Sequence, residues 1–337
     1  GYKYAEKYPS YFHGIGSFDI ETGKAKNQEK GLSYTGVFGR KLVELGSTNE
    51  NIVAITAAMG KGTGINKFAE RFPERTFDVG IAEEHAVTFA AGLAAAGMIP
   101  VVAVYSSFLQ RAYDQILHDV CMQNLHVIFA IDRSGLVGAD GETHQGIFDT
   151  AYLSHIPNLT IIAPKNRYDL TKAMEWAVSH PGPVAIKYAR GQAYYGLKNV
   201  NAPVEYGKSE IIQHGSEIAL IAVGNMVEET EKLYNRLLQE GKKITFVNAR
   251  FLKPLDTGLL DELAVTHKLI VTVEEGILHG GYGALVEEYL TGKAYHGKVL
   301  PIAIEDTFVK HGSVKELRKM LKIDAESIYN RIQNAME

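Results

Sequence analysis

The stretch DVGIAEEHAVTFAAGLAAAGMIPVVAVYSSFLQ, residues 78–110, sets the fold. From residue 86 to residue 110 it carries no charge, a length that raises the question of a membrane span. Gly97 and Pro100 answer it. They divide the run into a small-residue helix over 86–96 and a β-branched strand over 101–105, both of ordinary buried-core length. A short strand at 76–79 passes into the helix near Ala82, so the stretch predicts strand, helix and strand in a soluble core.

The alternation continues outward. Ser33 predicts the N-cap of a helix running to Leu45. Strands are expected at 51–56, 127–132, 159–163 and 184–188, with helices at 65–72, 108–122 and 168–178. Residues 191–205, rich in Gly, Asn and Pro, predict a link. Strands at 218–223, 244–248, 269–274 and 299–304 then alternate with helices at 227–239, 256–266 and 284–290. The expectation is an α/β protein of two domains, 31–195 and 206–337, each a mostly parallel sheet flanked by helices. Residues 1–30 lack helical or strand periodicity and predict an arm or interdomain linker.

A chain of 337 residues has room for two such cores. Lys and Arg number 35 against 39 Asp and Glu, a net charge of −4. That balance gives no electrostatic reason to expect nucleic acid or an anionic membrane as partner, so phosphate recognition must rest on a few placed arginines. Cys121 is the only cysteine, which excludes an intrachain disulfide and a cysteine zinc site and fits a reducing cytoplasm or organelle stroma. The chain opens at Gly1 in a polar, aromatic stretch with no signal-peptide pattern, predicting that something upstream has been removed or lies on another polypeptide.

In an open parallel sheet, ligands gather at the carboxyl ends of the strands. Four such ends carry unusual residues: TAAMGKGTG at 56–64, DVGIAEEH at 78–85, YSSFLQR at 105–111 and IDRSGLVGADGETHQG at 131–146. Glu83 falls in the first turn of a helix, where the macrodipole stabilises a carboxylate by about 0.3–1 kcal/mol, so a capping acid is one sufficient account. Yet with Glu84 and His85 it opens an uncharged helix that looks buried, and a buried carboxylate needs a partner. The loop carrying Arg133, Asp140 and His144 among four glycines is long for an α/β connection. Arg111 has Asp114 and Glu84 as surface partners nearby in sequence, and Arg190 suits an interdomain salt bridge; both also suit an anionic substrate. No P-loop, HExxH, GxSxG or dinucleotide fingerprint occurs, and HGGYG at 279–283 is expected to serve packing.

Residues 78–91 (DVGIAEEHAVTFAA), 105–115 (YSSFLQRAYDQ) and 129–146 (FAIDRSGLVGADGETHQG) resemble the pyrimidine-binding domain of the 1-deoxy-D-xylulose-5-phosphate synthases, transketolase-like thiamine-diphosphate transferases. Residues 1–24, with FHGIG at 12–16, resemble that family's linker, and 271–283 its C-terminal transketolase domain. The resemblance implies that Glu83 trades a proton with N1′ of the cofactor's aminopyrimidine. It implies that Phe108 lies on the pyrimidine ring and that Met59 and Ile81 are apolar walls. Tyr105, Arg111 and Arg190 match residues at the substrate's phosphate end. Arg133, Asp140 and His144 match the loop that holds the pyruvate-derived adduct, where Asp140 and His144 handle its protons. The implied reaction joins pyruvate to D-glyceraldehyde 3-phosphate with loss of CO2, feeding isoprenoid, thiamine and pyridoxal synthesis.

The family holds the cofactor's diphosphate through Mg²⁺ in a preceding domain, with a Gly-Asp-Gly triplet. That triplet is absent here. The resemblance therefore implies thiamine diphosphate and Mg²⁺ as cofactors, with the metal held by no residue of this chain. The amino-terminal diphosphate-binding domain is expected to be lost or on a separate chain, leaving this one inactive alone. It also implies a cytoplasmic homodimer, for which the small-residue helix permits close contact. Transketolases and the β subunits of 2-oxo-acid dehydrogenases share the domain pair and are the rival enzymes, while 129–146 favours the synthase. A non-catalytic subunit that kept the fold is the remaining reading, and the joint presence of Glu83, Phe108, Asp140 and His144 argues against it.

Overall fold

The computed structural model describes residues 1–26 and 31–337, and the chain divides into a small unit, Gly1–Leu32, and a large one, Ser33–Glu337. Residues 27–30, at the expected junction between arm and first domain, lie outside the described residues. The small unit is more ordered than its aperiodic sequence predicts. Helices Lys3–Lys7 and Pro9–Phe12 gather Tyr2, Phe12 and Phe18 at 5.3–5.6 Å, with Phe12 edge to face with both others, and the Tyr2 hydroxyl donates to the Ile20 carbonyl. Contacts among aromatics several residues apart hold it, which is why no local period announces it.

The large unit contains twelve strands: β1 Ile52–Thr56, β2 Thr76–Asp78, β3 Ile99–Tyr105, β4 Ile128–Asp132, β5 Thr160–Ile162, β6 Val184–Lys187, β7 Glu210–Gln213, β8 Ile218–Ala222, β9 Ile244–Asn248, β10 Phe251–Lys253, β11 Leu269–Ile277 and β12 Lys298–Ile304. They form two α/β sheets that are parallel except at one edge of each. The first has the order β10-β5-β6-β4-β3-β1-β2 and the second β12-β11-β8-β9-β7; β10 and β7 are antiparallel to their neighbours. In β8, Ala219 and Ile221 face one apolar cluster while Ile218, Leu220 and Ala222 face the other, as a sheet covered on both sides requires.

Two features differ from the sequence expectation. β10, drawn from the 206–337 segment, completes the edge of the first sheet, so the two sheets do not each belong to one segment. The helix expected over 108–122 is instead a helical turn Ser106–Leu109, a 3₁₀ turn Gln110–Ala112, a short helix Tyr113–Gln115 and a π turn Ile116–Cys121. Ile116, Val120 and Cys121 of the π turn are buried. The uncharged run does split as expected, into the helix Glu83–Ala95 and β3. Among the described residues no helix is long and apolar enough to cross a membrane.

Chain order β1 to β4 becomes spatial order β4-β3-β1-β2, so the winding reverses beside β1. Thr56 pairs with Asp78, and Tyr105 with Asp132, across adjacent strands. The four loops with unusual residues therefore leave the sheet side by side, at the kind of switch point where α/β proteins form a crevice.

A buried ionic seam joins the two sheets. Lys165 Nζ meets Glu210 Oε2 at 2.5 Å, and Arg250 lies 3.0 Å from Glu210 and 3.1 Å from Asp169. Burial opposes ionisation of Glu210, but Arg250 and Lys165 more than offset it and hold the carboxyl below its usual value of 4.5. Glu210→Gln is expected to lower the unfolding free energy in urea by about 3–5 kcal/mol, because it leaves two buried cations short of a partner. Since the folded carboxyl is the stronger acid, its contribution is complete above about pH 4.5 and fades as pH falls through the folded value; the difference between wild type and variant should shrink accordingly.

Candidate functional site

The helix Glu83–Ala95 starts straight after the β2 loop, and its first residues diverge at once. Glu83 is buried at 2% exposure while Glu84 and His85 are exposed. Burial of one acid of the pair supplies the distinction that neighbouring identical residues conceal. The partner it needs is Arg111, whose Nη1 lies 2.8 Å from Glu83 Oε1. Arg111 thus takes neither Asp114, which pairs with His118, nor Glu84.

From Arg111 a chain of ring and cation contacts crosses the strand ends. Its guanidinium carbon sits 5.1 Å from the Phe108 ring centre. Phe108, half-buried, stacks on Tyr105 at 5.7 Å and meets the His144 ring edge to face at 5.2 Å. Arg133 lies 3.7 Å over the other member of the stack, Tyr105. Such cation–aromatic contacts contribute about 0.5–2 kcal/mol each and fix relative orientation. Burial raises the Tyr105 hydroxyl pKa, with Arg133 opposing the shift.

The long loop is closed at its root. Gly135 and Gly146 exchange two backbone hydrogen bonds of 2.7 and 2.8 Å, and a Cβ on Gly146 would fall 2.1 Å from the Arg133 carbonyl oxygen. Near the loop's tip Asp140 meets Arg190 at 3.0 Å, and Arg190 also donates to the Val137 carbonyl at 2.7 Å. Arg190 therefore braces the loop rather than bridging to the second segment. The second segment holds the loop by other means. Glu275 of β11 accepts from the Leu136 N–H, Asn225 and Arg318, and Gln145 donates to the Lys310 carbonyl.

Met59, 8% exposed, belongs to the apolar cluster against which Tyr105 and Phe108 pack. Ile81 is different. It stands 82% exposed beside Gly80, where the chain leaves β2 with φ +73°, so in this chain it faces solvent rather than an enclosed wall. The other eight expected residues, together with Met59, form one connected patch on the crevice.

Three participants escaped the sequence reading. Asp132, fully buried at the end of β4, accepts from Thr35 Oγ1 at 2.7 Å and meets Arg133 at 3.1 Å. Burial pushes its carboxyl up to about 6, against the pull of Arg133 and Thr35. Gly62 gives its carbonyl to Arg133 at 2.8 Å, and a Cβ there would lie 1.6 Å from the Tyr105 hydroxyl. A charge closing the apolar run FAI was the available signal for Asp132, and Gly62 lies in the glycine-rich turn at 56–64 already singled out; for Thr35 there was none.

HGGYG serves packing, as expected: Tyr282 and Gly283 N–H groups at a helix start cradle the chain's own Glu274 carboxylate.

The description "Transketolase, pyrimidine binding domain" matches residues 30–194, and "Transketolase, C-terminal domain" matches residues 207–328. The 1-deoxy-D-xylulose-5-phosphate synthase of Lachnoclostridium phytofermentans is 54% identical over 333 residues, covering 98% of this chain and 53% of that protein. That of Clostridium tetani is 47% identical over 336 residues, covering 100% and 54%. The chain spans about half the length of the curated relatives it matches. Among solved structures, a split-gene transketolase described as an inactive β4 tetramer superposes with a TM-score of 0.81 at 30% identity, over 91% of this chain and 98% of that one. Campylobacter jejuni transketolase superposes with a TM-score of 0.76 at 16% identity, over 98% of this chain and 50% of that one, a likeness of fold alone.

Removing the cation from the Glu83 pair isolates a buried charge. Arg111→Met is expected to cost about 1–3 kcal/mol in urea unfolding, moderated because the guanidinium is half exposed. Adding Glu83→Gln should recover most of that loss, a coupling that a double-mutant cycle reads directly.

Proposed function

Since this chain belongs to the transketolase family and carries its pyrimidine-binding and C-terminal domains, we propose that it is the carboxyl-terminal portion of a thiamine-diphosphate-dependent 1-deoxy-D-xylulose-5-phosphate synthase. The whole enzyme would condense pyruvate with D-glyceraldehyde 3-phosphate and release CO2. The observation that carries this reading is a carboxylate withdrawn from water, Glu83, held at a helix start beside Arg111 and the Phe108 ring.

The residues present fit one half of the cofactor. A shielded acid, an aromatic face and the apolar Met59 suit an aminopyrimidine. The diphosphate half finds no match: Gly-Asp-Gly is absent, and no group of three or more metal-ligating side chains occurs among the described residues. By resemblance to the family, Mg²⁺ and the diphosphate are proposed to be held by an amino-terminal domain outside this chain, which would also cover solvent-facing Ile81 and make it a pocket wall. When bound, thiamine diphosphate supplies a carbon that becomes nucleophilic with help from its own aminopyrimidine.

The chain's own part is to place groups around that cofactor. Glu83 holds and returns a proton at its carboxylate, and Phe108 offers its face to the pyrimidine. Arg111, Arg190 and Tyr105 receive the phosphate end of the acceptor, while Arg133 attracts the carboxylate of pyruvate. Asp140 and His144, on a loop fixed at both root and flank, handle protons of the substrate. The assembly is proposed as a cytoplasmic homodimer. The helix Glu83–Ala95 supports this, because Gly92 and Ala95 are exposed on it and a Cβ at Gly92 meets open space.

A second reading makes the chain a natural β-type subunit whose companion is a separate gene product. The match to the split-gene transketolase chain, nearly end to end, favours it. Both readings need the same complement.

Adding an amino-terminal diphosphate-binding domain is expected to yield CO2 release that depends on both pyruvate and D-glyceraldehyde 3-phosphate. Glu83→Gln should lower that rate by at least about a hundredfold; full turnover by the variant would remove Glu83 from the chemistry. By titration calorimetry, the chain alone should bind thiamine diphosphate at least roughly a hundredfold more weakly than the complemented pair, because the metal-bridged diphosphate contacts lie elsewhere. Tight Mg²⁺-dependent binding by the isolated chain would contradict the division of labour.

A further inference from the structure

We infer that Asp132, braced by Thr35, is a positioning residue for the Arg133 guanidinium and thereby sets the affinity of the site for a carboxylate substrate. The inference rests on the reading of the site given above and adds to it a residue pair that touches no substrate.

The geometry at the end of β4 carries it. Successive side chains of a strand point to opposite faces, so residues 132 and 133 of a continuing strand would diverge. Arg133 instead adopts φ +61°, a left-handed conformation that is unfavourable for a non-glycine residue. That turn brings its Nη1 back to Asp132 Oδ1 at 3.1 Å and to the Gly62 carbonyl at 2.8 Å. The guanidinium then lies 3.7 Å over Tyr105, the residue paired with Asp132 across β3 and β4.

Asp132 is itself held from behind. Its second oxygen, Oδ2, accepts from Thr35 Oγ1 at 2.7 Å, at the start of the helix Tyr34–Thr48. A Cβ on Gly64 would fall 2.7 Å from the Thr35 carbonyl oxygen, so the glycine-rich turn that offers the Gly62 carbonyl packs directly on this helix end. Helix, turn and strand thus converge on one guanidinium. The ionisable groups around Asp132 are Arg133 on its own loop, Tyr105 on β3 and Tyr188 just beyond β6; the helix meets it with a neutral hydroxyl. Among these the Asp132 carboxyl, raised to about 6 by burial, changes charge near neutral pH. Once protonated it exchanges a charge-assisted bond for a weaker neutral one, and its hold on Arg133 weakens while the Gly62 carbonyl bond stays.

Two measurements test this. In the chain alone, nuclear magnetic resonance follows the Asp132 carboxyl carbon and the Arg133 guanidinium with pH. Both signals are expected to move together with a midpoint of about 6, and the Arg133 transition should vanish in Asp132→Asn. Thr35→Val, which removes a bond to the charged form, should shift the midpoint upward, and Thr35→Ser should restore it. In the complemented enzyme, Asp132→Asn and Thr35→Val should raise KM for pyruvate roughly tenfold while leaving kcat within about threefold. A general structural role would instead lower activity without this split and without rescue by serine. An Arg133 signal indifferent to Asp132, or an unchanged KM in an active Asp132→Asn enzyme, overturns the inference. A complemented wild type that does not consume pyruvate counts against the functional reading, while the resonance titration still decides whether Asp132 positions Arg133.

Discussion

A carboxylate removed from water must find a cation or a set of N–H groups, and this requirement recurs throughout the large unit. Glu83 has Arg111, Asp132 has Arg133, Asp149 has Lys187, Glu210 has Lys165 and Arg250, and Glu275 has Arg318. Such pairs contribute little net stability relative to apolar packing, yet breaking one from either side is costly. Their effect is therefore on which piece lands where. Glu210 and Arg250 tie the second segment to Asp169 of the first, and Glu275 with Arg318 fixes the loop that carries Asp140 and His144. The crevice inherits its geometry from these obligations.

The candidate site is assembled from short reaches. Each of four adjacent strand ends contributes between one and four residues: Met59 and Gly62 after β1, Glu83 after β2, Tyr105, Phe108 and Arg111 at the end of β3, and Asp132, Arg133, Asp140 and His144 at the end of β4. Glycines set the spacing where bulk would intervene, most plainly at Gly62, which touches the Tyr105 hydroxyl, and at Gly146, which lies against the Arg133 carbonyl. The second segment contributes no residue to the ring and cation chain itself. It acts on that chain by immobilising the loop from outside, through Glu275 and the Lys310 carbonyl.

Much of this was legible beforehand because parallel strands buried on both faces write themselves as apolar runs, and β4, β8 and β9 lay within a residue of their expected limits. The loops of the candidate site were visible as polar, glycine-rich interruptions at strand ends. What escaped has physical reasons. β7 and β10 are short edge strands whose pairing depends on tertiary contacts rather than pattern. The segment after Tyr105 has helical composition but winds at three different periods, which apolar spacing alone does not distinguish. The choice of Glu83 as partner for Arg111 over Glu84 depends on which side of a helix faces inward. The contact between Asp132 and Arg133 depends on a backbone angle that sequence rarely announces for arginine.

The antiparallel β10 has a consequence for how such a protein can be inherited. Its three residues come from beyond the link that separates the two α/β halves, yet they cover the outer edge of β5. A gene fission between the halves would strip that strand away and leave an open row of backbone donors and acceptors, an invitation to aggregation. Fission ahead of residue 33 leaves every pairing of both sheets within one product. The two halves are in this sense a single evolutionary cargo, free to part from what precedes them but not from each other.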